Sequence, residues 1–276
     1  MRSSGHGEWS SDSRFPIPDS RTSRPHDLTT SRILIVIDLG TMAYLPALEL
    51  QRAVAAARIS GAIAEDVLLL VEHPPVVTLG RGTKAGHLVA SEALLRHRGV
   101  ELFDVERGGD VTFHGPGQLV GYPIFDLKSH RRDLHWYLRQ VEESIIQAMS
   151  ACGLPGERNQ GYTGVWTRGT AATGDSPLRK IASIGVHARD WVTWHGFALN
   201  VTTDLSFFDL IVPCGINDVT MTTVERELGA AFPGSTSITA AVVTAFGTVF
   251  GLNTREESTQ WLESALLASS SSTAQR

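Results

Sequence analysis

Cysteine is almost missing from this chain of 276 residues, where Cys152 and Cys214 are the only two. A disulfide framework is excluded, and two thiols in a reducing compartment is the plain reading, with one bridge the most the sequence allows. No apolar run reaches the roughly 18 to 20 residues that a spanning helix needs. The stretch 33–37 (ILIVI) stops at Asp38 and reads as a strand. No H-E-x-x-H, C-x-x-C, Walker A loop or dinucleotide fingerprint occurs, so no metal is expected and the usual nucleotide signatures are lacking. Charge is scarce and slightly acidic, with 24 Lys and Arg against 29 Asp and Glu, which gives no bulk basic footprint for a nucleic acid. What remains is 42% hydrophobic and 19% charged, the profile of a globular protein with one large domain or two small ones.

Both ends differ from the middle. Residues 1–31 are rich in Ser, Arg, Pro, Gly and Asp, bury too little to offset their ordering entropy, and are expected to form a disordered extension. They have no apolar core for a secretory signal, and Glu8, Asp12, Asp19 and Asp27 break the acid-poor pattern of a transit peptide. Residues 269–276 read as a flexible tail, leaving 32–268 as the folded domain. Inside it, residues 66–71 hold the run Val67 to Val71, typical of a buried strand. Residues 44–57 read as a helix with Leu45, Leu48 and Val54 near one face, and 133–152 as a stronger one stopped by Gly153 and Pro155. Residues 179–186 and 191–201 read as paired strands around a turn near 188–190. Residues 237–250 and 255–267 read as closing helices, with Ser237 as N-cap of the first. Strands and helices mixed with hairpins predict an α+β fold.

Four segments carry chemistry. Residues 107–118, RGGDVTFHGPGQ, place four glycines around a short strand; glycine lets the backbone turn and lets a ligand approach. Residues 73–82, HPPVVTLGRG, set Arg81 between Gly80 and Gly82 on a turn. Lys180 lies in KIASIG, where strict alternation groups Lys180, Ala182 and Ile184 on one face and Ile181, Ser183 and Gly185 on the other. Cys214 lies between Pro213 and Gly215, which puts it on a turn with an accessible sulfur. A free thiol near about pKa 8.5 gives little thiolate at neutral pH, so a nucleophile there needs a nearby cation. Cys152, on the apolar face of a helix, fits a buried small hydrophobe. His114, His187 and His195 also stand in suggestive places, and which of them approaches Cys214 is open.

The stretches HPPVVTLGRG, RGGDVTFHGPGQLVGYPIFDL, GVW, KIASIGVHARDWVTWHGFALNV and IVPCGI, in that order, closely resemble the octanoyltransferases of protein lipoylation, over residues 33–250. The resemblance implies a biotin/lipoate protein ligase catalytic-domain-like fold: a larger mixed sheet, a smaller sheet and packed helices. It implies transfer of an octanoyl or lipoyl group from acyl carrier protein to a lysine of apo lipoyl domains, through an acyl thioester on Cys214, with no cofactor. It assigns Cys214 and Lys180 as catalytic. It assigns Arg107, Gly108, Gly109, Asp110, Val111, Thr112, Phe113 and His114, then Ser183, Ile184 and Gly185, then Gly196, Phe197 and Ala198, to substrate binding. Val111, Phe113 and Ile184 are the expected apolar lining of an acyl slot. The implied acceptors are the lipoyl domains of 2-oxoacid dehydrogenase E2 subunits and the glycine-cleavage H protein. A cytoplasmic monomer without nucleic-acid or membrane partners is expected. Phe113 stands where the family commonly has tyrosine, the basic rim around His187 is weaker than usual, and the loop 167–179 is longer. Three other readings remain: an ATP-dependent lipoate or biotin protein ligase of the same fold, a non-catalytic lipoyl-domain binding module, and a thioesterase.

Overall fold

The structure, a computed structural model, describes residues 32–170, 176–216 and 219–273, with side chains described to residue 268. The expected N-terminal extension lies outside these residues, as does 171–175 of the loop before Lys180. In chain order the strands are β1 (Ile33–Thr41), β2 (Asp66–Glu72), β3 (Val76–Leu79), β4 (Glu101–Asp104), β5 (Thr112–His114), β6 (Gln118–Ile124), β7 (Val165–Thr167), β8 (Arg179–Arg189), β9 (Val192–Asn200) and β10 (Asn253–Glu256). The helices are α1 (Tyr44–Ser60), α2 (Glu92–His97), α3 (Leu134–Ala151), α4 (Val224–Leu228), α5 (Ser235–Phe250) and α6 (Thr259–Thr273). Seven strands form one mixed sheet in the order β10-β1-β2-β6-β9-β8-β7, and three form a smaller one, β4-β3-β5. This is the α+β arrangement of a larger and a smaller sheet with packed helices.

The aliphatic run in β2 is continuous because both faces of the large sheet are covered. Leu34, Val36, Leu68 and Leu70 face a core shared with α3 and α5, through Tyr137, Val141, Ile145, Val242 and Phe246. Ile35, Ile37, Val67, Leu69 and Val71 face the opposite core, with Ala47 and Val54 of α1 and Leu262 of α6. On α1 the pattern holds for Leu48 and Val54, while Leu45 is exposed. Helix α3 begins where Asp133 accepts a hydrogen bond from the Trp136 amide at 3.0 Å, as its apolar spacing predicts.

Three expectations are corrected. The hairpin turns at Asp190 and Trp191, both with positive φ (52° and 67°), so β8 runs on to Arg189 instead of ending before 188. Helix α5 starts at Ser235 after Gly234; Ser237 is inside it and donates to the Pro233 carbonyl, so it is not the cap. Arg255 is not helical: Asn253 to Glu256 pair in parallel with Ile33 to Val36, and α6 begins only at Thr259. The backbone of α6 continues past Ser269 to Thr273. Among the described residues no single helix is long and apolar enough to cross a membrane.

Candidate active site

Lys180 enters the site through an irregularity in β8. On the facing strand β7, Trp166 pairs with Lys180 and Val165 with Ala182, so Ile181 is an extra residue. A bulge of this kind places two successive side chains on one side. Ile181 and Ala182 both join the α3/α5 core, and Lys180 moves to the face of Ser183. Strict alternation had separated Lys180 from Ser183; the bulge unites them.

Lys180 is fully buried, so it is not the solvent-facing edge lysine that its type favours. A buried ammonium is costly unless it is partnered. Its Nζ lies 3.0 Å from Cys214 Sγ and 3.5 Å from the Thr163 carbonyl, and 4.9 Å from the Trp166 ring centroid. The GVW motif makes room for it. Gly164 has φ 139°, and a Cβ there would sit 2.6 Å from the Ala182 carbonyl and 3.0 Å from Lys180 Cε. The Gly164 amide donates to Glu142, a buried carboxylate of α3 that also takes Arg139 and Arg158.

Cys214 occupies a tight turn, as its neighbours predict. Cys214 (φ 55°, ψ 20°) and Gly215 (φ 65°) are both left-handed, and the Ile216 amide closes the turn on the Pro213 carbonyl at 3.1 Å. A non-glycine residue in this region costs roughly 1–2 kcal/mol. The Cys214 amide donates to the Val111 carbonyl at 3.1 Å. Its Sγ lies 3.6 Å from Ser183 Oγ. Burial pushes this thiol up, but the Lys180 ammonium, the hydrogen bonds from Lys180 and Ser183, and the more distant Arg107 together hold it below the usual thiol range. Cys152 is the contrast: burial alone pushes it up.

Beside Sγ lies a cavity of about 220 Å³. Of the residues expected to bind substrate, Arg107, Gly109, Asp110, Thr112, His114, Ser183, Ile184, Gly185, Gly196, Phe197 and Ala198 line it. Gly108, Val111 and Phe113 do not. The Gly108 amide is tied to the Val186 carbonyl at 2.8 Å. Thr112 and His114 face the cavity, so alternation turns Val111 and Phe113 into the core of the small sheet, where Phe113 stacks on Phe207 at 4.8 Å. Of the expected apolar lining Ile184 stays, and Val120, Phe197 and Ala198 complete the apolar wall of the cavity.

Arg107 is buried, and its guanidinium is held by the Thr78 carbonyl (2.8 Å), the Thr78 hydroxyl (2.9 Å) and the Gly108 carbonyl (3.2 Å). The two glycine-rich segments interlock here. The Gly82 amide donates to the Gly109 carbonyl at 2.9 Å, and Gly80 sits too close to Gly109 and Arg107 to carry a side chain.

None of the three histidines flagged in the sequence bonds Cys214. His114 donates through Nδ1 to Gln118 Oε1 at 2.8 Å, and burial, with His73 nearby, pushes its pKa down to about 3. His195 (φ 56°) lines the cavity with its amide on Gln51. His187 stands outside the cavity, edge-on to Trp194 at 4.3 Å. Residues that the sequence reading missed include Tyr44 of α1, Tyr122 of β6, and Tyr162, Thr163 and Ile216. His73 supports Tyr122: its Nδ1 donates to the Met42 carbonyl, the Tyr122 hydroxyl donates to its Nε2 (both 2.6 Å), and burial holds its pKa at about 4. Among the described residues no three His, Cys, Asp or Glu side chains converge as metal ligands.

Comparison with known proteins gives the family and the fold. The family model described as the lipoyl protein ligase A/B catalytic domain matches residues 43–247. An octanoyltransferase of Koribacter versatilis is 47% identical over 231 residues, covering 83% of this chain and 87% of the relative. An octanoyltransferase of Rubrobacter xylanophilus is 50% identical over 214 residues, 77% and 91% of the two chains. Among solved structures, a bipartite lipoate protein ligase of Thermoplasma acidophilum has the same fold, with a TM-score of 0.65 at 16% identity over 86% of this chain and 90% of that one. With its fold, its ordered motifs and relatives this similar along most of their length, the chain belongs to the octanoyltransferase family, within the lipoyl protein ligase A/B catalytic domain.

Proposed function

We propose that this protein is an acyltransferase that carries an octanoyl group from an acyl carrier protein thioester to a lysine of an apo lipoyl domain, by way of a thioester on Cys214. The observation that carries this reading is the 3.0 Å contact between Lys180 Nζ and Cys214 Sγ, on the wall of a cavity with an apolar side. In the first half-reaction the Cys214 thiolate attacks the donor carbonyl, and the departing thiolate takes a proton from the Lys180 ammonium. The acyl group is now on sulfur and Lys180 is a neutral amine. In the second half-reaction the acceptor lysine attacks the Cys214 thioester and gives its surplus proton to Lys180. Cys214 leaves as thiolate beside a restored ammonium. Thioester exchange is nearly isoenergetic and amide formation runs downhill, so no ATP enters.

The acceptors in this reading are lipoyl domains of 2-oxoacid dehydrogenase E2 subunits and the glycine-cleavage H protein. The thiolate–ammonium pair favours this reading over a ligase, because an acyl-adenylate route needs no cysteine nucleophile. The test is transfer from octanoyl-acyl carrier protein to an isolated apo lipoyl domain without ATP, read by acceptor mass. A gain of one octanoyl group, lost with Cys214→Ala, supports the reading. Transfer only with free octanoate, ATP and magnesium overturns it in favour of the ligase.

A further inference from the structure

The left-handed turn that presents Cys214 is held from outside, and His87 and Asp110 do the holding. The turn's own bonds, Gly215 amide to the Val212 carbonyl and Ile216 amide to the Pro213 carbonyl, close it but do not fix it to the rest of the site. Two segments do. The Val212 amide donates to the His87 carbonyl at 2.7 Å, and the Cys214 amide donates to the Val111 carbonyl at 3.1 Å. These two segments are joined by one side-chain pair. His87 Nδ1 donates to Asp110 Oδ2 at 2.6 Å, and the other oxygen of Asp110 accepts the Val111 amide at 2.7 Å. Asp110 thus orients the peptide next to the carbonyl that holds Cys214, and ties it to the segment that holds Val212.

The pair also fills the space over the turn. A Cβ built on Gly215 would collide with Asp110 Oδ2 and lie 2.9 Å from His87 Cε1 and 3.1 Å from His87 Nδ1. Only glycine fits beneath it. Both side chains are largely shielded, with 20% of His87 and 11% of Asp110 exposed, so this is not a loose surface contact. His87 does not line the cavity, which leaves it no evident contact with the acyl group.

We propose that His87 and Asp110 are positioning residues that lock Cys214 in its left-handed conformation and so keep Sγ within reach of Lys180 and Ser183. The inference rests on Cys214 being the nucleophile paired with Lys180, as proposed above. Without the lock the turn relaxes to an ordinary backbone conformation, Sγ leaves Lys180, and the thiol loses its nearest cation. Asp110 lines the cavity as well, so His87 is the cleaner probe.

The experiment is the pH dependence of iodoacetamide labelling, read at the Cys214 peptide by mass spectrometry, on the native chain, His87→Ala and His87→Asn. No acyl donor is present, so the result is independent of which acyl group is transferred. The native midpoint is expected below that of an unperturbed thiol; a native midpoint in the ordinary range overturns the Cys214–Lys180 reading itself. Given a low native midpoint, His87→Ala is expected to raise it and to slow labelling at neutral pH about three-fold or more. His87→Asn, which keeps a donor near the Nδ1 position, is expected to recover most of the loss. A midpoint for His87→Ala equal to the native one overturns the proposal, whatever happens to its melting temperature. Should His87→Ala fail to fold, Asp110→Asn carries the same expectation and the same contrary result.

Discussion

Removing the Lys180 ammonium should cost Cys214 its thiolate. Nζ and Sγ are 3.0 Å apart, and Lys180 has no exposure to solvent that would screen the pair. A hydrogen bond to a charged group contributes roughly 1.5–3 kcal/mol. At about 1.4 kcal/mol per factor of ten, its loss pushes the thiol up and lowers the thiolate population at neutral pH roughly ten-fold or more. The coulombic attraction of the Lys180 ammonium is lost together with the hydrogen bond, so this factor is a lower bound. Lys180→Met keeps the aliphatic stem against Trp166 and removes only the charge; Lys180→Ala removes both. Both variants are expected to shift the labelling profile of Cys214 to higher pH. At neutral pH the labelling rate falls about ten-fold or more. Cys152 provides the internal reference, since burial alone shifts it and its labelling should not change. A Cys214 midpoint in Lys180→Met equal to the native one would refute the assignment of Lys180 as the group that holds the thiolate.

Other outcomes follow from the same structure. Phe113→Tyr should leave acyl-chain preference untouched, because Phe113 faces the small-sheet core, and should lower stability by about 1–3 kcal/mol for a buried hydroxyl; a changed chain-length profile would contradict the placement. Ala198→Leu adds bulk to the cavity wall and should shift preference toward shorter acyl chains, measured by competition between donors of different length. Gly164→Ala should lower both the melting temperature and the rate of acyl loading, since its Cβ meets the Ala182 carbonyl and Lys180 Cε. His73 and His114 are held neutral, at about 4 and about 3, while the unfolded chain protonates them near about 6.5. Their contribution to stability is fully present above about pH 6.5 and is lost as pH falls toward those lower values, at up to roughly 1.4 kcal/mol per pH unit for each. Denaturation at pH 6.5 and pH 5 should show this slope, and His114→Asn should flatten it.

The local chemistry was legible in the sequence where it depended on neighbours. Pro213 and Gly215 announced the turn at Cys214, Asp133 and the three-and-four spacing announced α3, and the ordered motifs announced the fold. What depended on distant pairing was not legible. The bulge at Ile181 exists only because β7 lies beside β8, and without it Lys180 would face away from Ser183. The strand at Asn253–Glu256 is fully exposed and polar, so nothing in its pattern announces pairing with β1. Val111 and Phe113 look like an acyl lining by composition, yet the phase of a three-residue strand turns them away. Tyr44 reaches the cavity from a helix that carries no motif, Tyr122 from a part of the 107–127 motif to which no binding role was assigned, and His87 meets Asp110 across 23 residues.

The central claim is a thioester on Cys214, and intact mass after brief mixing with octanoyl-acyl carrier protein tests it most directly. The account predicts a gain of one octanoyl group that hydroxylamine removes, present in the native chain and absent in Cys214→Ala. An adduct that persists in Cys214→Ala, or octanoyl transfer to a lipoyl domain by the native chain with no adduct on Cys214 at any time, would contradict it.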